Sequence, residues 1–159
     1  MFKLDEKEYI NMLEYFCIHR LKSKSQIFQD IFVLYLTELK KNGLPLEFAL
    51  LPFIESAFDP FAYSHGRASG LWQFIPATGR LYGLEIDWWF DARRDIRAST
   101  QAAIRYLKRL NKLFDGNWLL TAAAYNAGEG NILKSIRRSG IDRKQVEFWQ
   151  LKVLSETSS

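Results

Sequence analysis

The segment IRASTQAAIRYLKRLNKLF, residues 96–114, decides the fold class of this 159-residue chain. Its apolar residues recur every three or four positions, which places them on one face of an α-helix. That face consists of Ala103, Tyr106, Leu107, Leu110 and Leu113. Gly116 follows, and glycine commonly ends helices. We therefore predict one long helix over residues 96–114 that packs its apolar face against a core.

The rest of the chain repeats this helical spacing and lacks strict alternation of apolar and polar residues. Near the N-terminus, helices are predicted at an apolar stripe of Tyr9, Met12, Leu13 and Phe16, and from a cap at Ser25 to Lys41. A third helix is predicted over 45–56, with a kink at Pro52 and a stop at Asp59-Pro60. Short helices are predicted around 71–74 and 76–83, and further ones over 118–128, 132–140 and 146–151. The predicted fold class is all-α.

The domain organisation follows from the absence of repeats, low-complexity tracts and linkers in the sequence. We predict a single domain over residues 1–159, with N-terminal helices over about 1–43 and a core over about 44–159. Its largest irregular stretch runs from Pro60 to Gly70, directly after the third predicted helix.

Composition limits the function classes. A formal net charge of +4 suits an anionic partner, but the charges are scattered, and short runs such as RRDIR (93–97) are typical of solvated faces, so no nucleic-acid partner is predicted. One cysteine and two histidines disfavour disulfides and a His/Cys metal site. No metal or cofactor is predicted.

Glu55 is the first candidate functional residue, because it lies in the apolar stretch LLPFIESAFD, residues 50–59. A carboxyl group among apolar residues commonly responds by a raised pKa. A position on a solvated helix edge is the alternative for this stretch taken alone.

Two more stretches place polar groups among apolar or small residues, as ligand pockets do: SGLWQF (69–74) and AYNAGEG (124–130). They contribute Gln73, Tyr125 and Asn126. For Gln73 and Asn126 a capping or core amide is the alternative. For the four residues Trp72, Trp88, Trp89 and Trp118, packing in the core is the default and a platform for a sugar ring is the alternative.

Together these stretches resemble the soluble and membrane-bound lytic transglycosylases, especially the membrane-bound lytic murein transglycosylase D type. The matching segments are LPLEFALLPFIESAFDP (44–60), ASGLWQFIPATGRLYGL (68–84), DARRDIRASTQAAIRYLKRLNKLFDGNWLLTAAAYNAGEG (91–130) and FWQL (148–151). The resemblance runs from about Phe28 to the C-terminus. It implies a goose-lysozyme-like helical fold with a substrate groove, and cleavage of peptidoglycan between N-acetylmuramic acid and N-acetylglucosamine.

The resemblance also assigns roles to residues. It makes Glu55 the sole catalytic acid/base, and it places Ser64, Gln73 and Tyr125 beside the sugar near the cleaved bond. Asn126 supports this site. Three further residues fall where the family has groove-wall or supporting residues: Ser56, Ile75 and Thr78.

The acids of the sequence agree with this chemistry. Most glycosidases need two carboxylates, yet no second acid has the apolar neighbours of Glu55. The others are interpreted as turn or helix-start residues: Asp59, Asp87, Asp91, Asp95 and Glu129. A single acid is what a lytic transglycosylase requires, because the C6 hydroxyl of the muramyl sugar attacks in place of water and leaves a 1,6-anhydro ring.

Two departures from the family stand out. Arg67, in YSHGRASG (63–70), occupies a position where relatives often have glycine, so a left-handed backbone there would be strained. Relatives of the D type also continue beyond the point where this chain ends, which favours an excised catalytic domain with one groove wall incomplete.

Three alternatives stay open. A hydrolytic muramidase of the same fold would use water as the nucleophile, a non-catalytic module would bind glycan without turnover, and a basic helical domain would bind nucleic acid.

The N-terminus lacks the apolar core of a signal peptide, and no apolar run could span a bilayer. We expect a monomer in the periplasm or cell envelope that acts on glycan strands, with any membrane association through parts outside this chain.

Overall fold

The structure is a computed structural model that describes residues 26–151, with side chains described from residue 31. The predicted stripe from Tyr9 to Phe16 and the Ser25 cap lie outside the described residues. Contacts divide the chain into two compact units, 1–37 and 38–159. Every candidate functional residue belongs to the second unit. The prediction of a single domain over 1–159 stays a prediction.

Helices account for the regular structure, and within residues 26–151 there are isolated β-bridges but no strand. The α-helices are α1 (Gln26–Lys41), α2 (Leu51–Ser56), α3 (Pro76–Leu81), α4 (Ile96–Leu113), α5 (Trp118–Ala127) and α6 (Glu129–Ser139); 3-10 helices cover Leu46–Leu50 and Phe148–Gln150. The predicted all-α class and the long helix from residue 96 are confirmed.

Two predicted helices need correction. Pro52 does not kink one helix: a 3-10 helix ends at Leu50 and α2 begins at Leu51, because proline fits the first turn of a helix, where no intrahelical N–H bond is needed. Helix α2 then ends at Ser56, before Asp59, since Ala57 adopts a left-handed backbone with φ of 50°.

The helix predicted around residues 71–74 is wrong, because this segment is a turn. Gly70 and Gln73 have φ of 82° and 47°, which an α-helix excludes, and the Gln73 N–H donates to the Gly70 carbonyl over 3.2 Å. Bridges from Ser69 to Tyr63 and to Phe74 fold the surrounding segment back on itself. We call residues 57–75 the site loop.

The core lies between α4, α5 and α6. Helix α4 begins at Asp95, whose carboxylate accepts the Ala98 N–H over 2.7 Å, and α5 begins at Asn117, whose side-chain oxygen accepts two backbone N–H groups over 3.1 Å. The fully buried side chains between these helices include Leu110, Phe114, Leu120, Ala124 and Ile132. Each large one contributes about 1.5–3 kcal/mol by leaving water, so α4–α6 form a firm base for the site.

Gly70 joins the site loop to the segment before α4. It is buried with φ of 82°, and a Cβ built on it would lie 1.8 Å from the Arg93 carbonyl oxygen. The chain therefore passes Arg93 at a distance that only glycine allows.

We predict that Gly70→Ala lowers the free energy of unfolding by more than about 2 kcal/mol, because left-handed backbone alone costs roughly 1–2 kcal/mol and the clash with Arg93 adds to it. Gly130→Ala is the matched control: Gly130 lies in α6 with open space at its Cβ. That change should leave stability equal or raise it by up to about 1 kcal/mol. Urea denaturation measures both, and equal stabilities for the two variants would contradict the proposed close approach.

Candidate active site

Glu55 lies in the last turn of α2 and is half-buried. Among the described residues its carboxylate has no hydrogen-bond or ion-pair partner. Burial therefore raises the pKa of Glu55 above its ordinary value of 4.5. A carboxyl group in this condition keeps its proton to a higher pH than an exposed one does.

The apolar sequence neighbours of Glu55 enclose it only in part. Phe58 is buried and stacks on Phe53 with ring centroids 4.9 Å apart, whereas the Ile54 side chain is 71% exposed and Ala57 is exposed. Successive residues of a helix point in different directions. Nearness in sequence to Ile54 and Ala57 thus does not explain the burial of Glu55.

Ser56 fastens the end of α2 to the site loop. Its hydroxyl lies 2.9 Å from the carbonyl oxygens of both Pro52 and Leu71, and its one O–H is shared between them. The side chain next to Glu55 is thereby attached to the turn that carries Gln73.

Tyr125 reaches the same turn from α5. Its hydroxyl donates to the Trp72 carbonyl oxygen over 2.8 Å, and its ring meets Trp72 edge-on with centroids 6.2 Å apart. The pKa of Tyr125 is raised well above 10, first by burial and then by the charge of Glu55. Tyr125 and Glu55 are therefore electrostatic neighbours although 70 residues separate them in sequence.

Gln73 holds the site loop from inside. Its side-chain nitrogen donates to the carbonyl oxygens of Gly70 over 2.8 Å and Ala62 over 3.3 Å. The residue is half-buried and left-handed. Gln73 thus ties the turn at 70–73 to the segment that leads into Ser64.

Ser64 closes a small turn at the outer end of the site loop. Its backbone N–H donates to the Ala68 carbonyl over 2.9 Å, and its hydroxyl oxygen accepts the Ala68 N–H over 3.1 Å. Arg67 in this turn has φ of 62°, so the left-handed backbone considered for it from the sequence is present. Non-glycine residues adopt it at a cost of roughly 1–2 kcal/mol.

Ile75, Thr78 and Asn126 are not joined to these residues by the described side-chain hydrogen bonds. Ile75 precedes α3 and is 47% exposed, Thr78 is half-buried within α3, and Asn126 is exposed in the last turn of α5. The described hydrogen bonds do not join their side chains to Ser56, Gln73 or Tyr125. The described hydrogen bonds thus join Ser56, Gln73 and Tyr125 through residues 71–73 and do not include Ile75, Thr78 or Asn126.

The four tryptophans considered as core residues or sugar platforms, out of five in the chain, differ in burial. Trp72 is 1% exposed and donates its indole N–H to Thr100 over 3.1 Å, and Trp118 packs edge-on against Phe48 with centroids 5.2 Å apart. Trp72 is therefore a core residue, and Trp118 is half-buried. Trp88 and Trp89 are 79% and 78% exposed, so the core interpretation is wrong for them.

Arg93 is the site residue that the sequence did not reveal. The run RRDIR suggested a solvated face, but Arg93 is 4% exposed and its guanidinium donates twice to Asp91, over 2.8 and 2.6 Å. It also donates to the carbonyl oxygens of Arg67 and Phe74 over 2.6 and 2.9 Å. Arg93 therefore holds both ends of the turn that contains Gln73. Only the dense RRD run hints at this, since a buried arginine and an exposed one look alike in sequence.

Every other acid considered from the sequence already has a defined role. Asp59 accepts the Phe61 N–H, Asp87 accepts two N–H groups of its own turn, and Asp95 caps α4. The guanidinium of Arg93 lowers the pKa of Asp91, and that of Arg109 lowers the pKa of Glu129. Glu55 alone among these acids combines burial with a raised pKa.

Comparison with known proteins identifies the family to which this chain is similar. Residues 35–148 match the family model of the transglycosylase SLT domain. The chain is 52% identical over 120 residues to membrane-bound lytic murein transglycosylase D of Escherichia coli (strain K12), an alignment that covers 76% of this chain and 26% of that protein. It is also 39% identical over 79 residues to peptidoglycan transglycosylase gp16 of Escherichia phage T7, which covers 49% of this chain and 6% of the phage protein.

A solved structure is similar in fold. It is an X-ray structure of an inactive glutamate-to-glutamine mutant of lytic transglycosylase Slt from Pseudomonas aeruginosa, with a TM-score of 0.52 and 28% identity over 71% of this chain and 18% of that one. The predicted lysozyme-like helical fold is confirmed. This chain spans about a quarter of the length of the E. coli relative.

We predict that Glu55→Gln raises the free energy of unfolding at pH 7 and that this gain disappears below about pH 4. At low pH Glu55 is protonated in both the folded and the unfolded chain. As pH rises, the unfolded chain loses this proton first, because burial raises the pKa of the folded state. The free energy of unfolding of the wild type therefore falls as pH rises from the pKa of Glu55 in the unfolded chain to its higher pKa in the folded chain. Glu55→Gln has no carboxyl group at this position and does not lose this stability.

Urea denaturation over a pH series measures this difference. The matched control is Glu85→Gln, which makes the same substitution at an exposed position. A Glu55→Gln variant that is less stable than wild type at pH 7 but not at pH 4 would contradict the prediction.

Proposed function

The chain belongs to the transglycosylase SLT domain family, and we propose that it cleaves the β-1,4 bond between N-acetylmuramic acid and N-acetylglucosamine in peptidoglycan without water. The products would be glycan strands that end in 1,6-anhydro-N-acetylmuramic acid. The observation that carries this proposal is Glu55: a half-buried carboxyl group with a raised pKa and no partner among the described residues.

The reaction needs one group that first gives and then takes a proton. Protonated Glu55 donates to the glycosidic oxygen while the bond from that oxygen to the muramyl C1 breaks. The substrate's own acetamido group stabilises the positive charge that develops at C1. The Glu55 carboxylate then accepts the proton of the muramyl C6 hydroxyl while the oxygen of that hydroxyl bonds to C1. Glu55 ends protonated, and the reaction is balanced without water.

The other candidate residues would shape the site around this exchange. Tyr125, beside Glu55, and Gln73 and Ser64, in the site loop, would contact the sugar near the cleaved bond. Ser56 would hold Glu55 by fastening the end of α2 to Leu71. Ile75 and Thr78 would form or support the groove wall, and Asn126 would support the site near the cleaved bond.

The setting follows from the substrate. Peptidoglycan lies in the cell envelope, so we place the activity in the periplasm, carried by a monomer that needs no cofactor. Within residues 26–151 no helix has both the length and the apolar character of a bilayer span.

We predict that Glu55→Gln abolishes release of anhydromuropeptides from purified sacculi. General acid–base catalysis contributes about 10²–10⁴-fold, and one group here serves both proton transfers. Mass analysis of the products decides the reaction type, because a muramidase product is heavier than the anhydro product by one water. Exposed Glu85 supplies the control Glu85→Gln, which should keep wild-type turnover.

Three results would overturn the proposal. Hydrated products would make the chain a muramidase. Binding to sacculi without any product from the wild type would make it a glycan-binding module. A Glu55→Gln variant with more than a tenth of wild-type turnover would remove Glu55 from the role of acid/base.

We further predict that Tyr125→Phe and Gln73→Ala lower turnover by a larger factor than they lower the folded fraction. Tyr125→Phe removes the hydrogen bond from the Tyr125 hydroxyl to the Trp72 carbonyl, and the loss of one hydrogen bond typically costs about 0.5–1.5 kcal/mol of stability. Tyr125→Phe keeps the ring that packs against the core between α4, α5 and α6, and Gln73 lies outside these helices, so both variants should remain folded. Melting curves and turnover per folded molecule, measured together, test this. A lowered melting temperature with near-normal turnover per folded molecule would assign both residues to the core instead.

A further inference from the structure

Two adjacent tryptophans stand exposed on a tight turn outside the candidate active site. Trp88 and Trp89 are 79% and 78% exposed, Phe90 is 50% exposed, and the two indole rings contact each other at a tilt of 36° with centroids 3.4 Å apart. Soluble proteins rarely expose contiguous aromatic surface without a use for it. We call Trp88, Trp89 and Phe90 the aromatic platform.

The turn that carries the platform is firmly built. Asp87 accepts the N–H groups of Trp89 and Phe90 over 2.7 Å each, and its own N–H donates to the Phe90 carbonyl over 2.9 Å. A bridge between Ile86 and Asp91 closes the base of the turn. The rings are therefore presented in a preset arrangement, which lowers the entropy lost on binding.

An open groove of about 520 Å³ runs along the platform. Its polar lining consists of Asp87, Asp91, Arg94 and Asp95. Carboxylates accept hydrogen bonds from hydroxyl groups and a guanidinium donates them. Aromatic faces beside such groups suit a pyranose ring, which has an apolar C–H face and polar edges.

The charge of the groove decides among partners. The groove is lined by three carboxylates and one guanidinium, and Asp91 is also paired with the buried Arg93, so the lining has no positive excess that would attract an anionic bilayer or a nucleic acid. Exposed tryptophans that anchor proteins at membranes are normally accompanied by Lys and Arg. An uncharged sugar polymer does not need such a positive excess.

The groove is also attached to the active-site side of the molecule. Arg94 lines the groove and donates its Nε–H to Ser69 of the site loop over 3.3 Å. The neighbouring Arg93 donates to Phe74 of the same loop. One short segment thus joins the platform to the loop that carries Ser64 and Gln73.

We propose that the aromatic platform and its groove form a second glycan-binding surface, which holds N-acetylated sugars of a peptidoglycan strand away from the bond to be cleaved. The choice of ligand rests on the proposed function. Binding at the platform itself does not require that Glu55 turns the strand over.

The test measures binding of the full chain to purified sacculi in the inactive Glu55→Gln background. Adding both Trp88→Ala and Trp89→Ala should weaken binding by about tenfold or more, which corresponds to a loss of at least about 1.4 kcal/mol of binding free energy. The matched control is Trp149→Ala, because Trp149 is 76% exposed but lies outside the groove. It should change binding less than twofold.

A second measurement uses a soluble probe. Titration with the β-1,4-linked tetramer of N-acetylglucosamine should shift the indole N–H NMR signals of Trp88 and Trp89 and leave that of Trp149 unshifted. Both platform side chains are exposed, so unchanged melting temperatures would exclude misfolding as the cause of lost binding.

The inference would be overturned if the double variant and the Trp149→Ala control bound sacculi equally, or if the inactive chain did not bind sacculi at all. It would also be overturned if the double variant lost only binding to anionic vesicles, or only self-association. The proposed function fails by a different result, namely wild-type protein that yields no anhydro product. The two ideas can therefore fail separately.

Discussion

The buried guanidinium of Arg93 is the interaction on which the geometry of the site depends. It is ion-paired with Asp91 and donates to the carbonyl oxygens of Arg67 and Phe74, which lie on the two sides of the turn at Gly70–Gln73. A buried charge is tolerable only when it is paired and fully hydrogen-bonded. Arg93 meets this condition by taking its acceptors from the site loop, so the loop can adopt few other shapes without stranding the charge.

Strain in the site loop makes sense with this anchor. Four non-glycine residues there have positive φ: Ala57, Phe58, Arg67 and Gln73. Such residues persist only where the surroundings over-determine them. Here the surroundings are Arg93, the close passage of Gly70 against its carbonyl, and the bonds made by Ser56 and Tyr125 to residues 71 and 72. The turn that carries Gln73 is thus held from α2, from α5 and from the segment before α4.

The sequence predicts the helices well and the loop poorly, for a physical reason. Helical periodicity and caps are local, so α4 and its Asp95 start could be read from neighbouring residues. The family resemblance supplied Gln73 and Tyr125 as site residues. The turn at residues 71–74 depends on the distant Arg93, and no local pattern signals that an arginine in a charged run will be buried. Exposure of Trp88 and Trp89 is likewise set by a turn whose packing the sequence does not show.

The hydrogen bond of Tyr125 completes the isolation of Glu55. A tyrosine hydroxyl has a single proton, and Tyr125 gives it to the Trp72 carbonyl oxygen. It then has no second proton to donate toward Glu55. Burial first, and then the charge of Glu55, raise the pKa of Tyr125, so the phenol stays neutral and keeps donating to Trp72. Burial by itself raises the pKa of Glu55, and Tyr125 donates no hydrogen bond to the Glu55 carboxylate that would lower this pKa again.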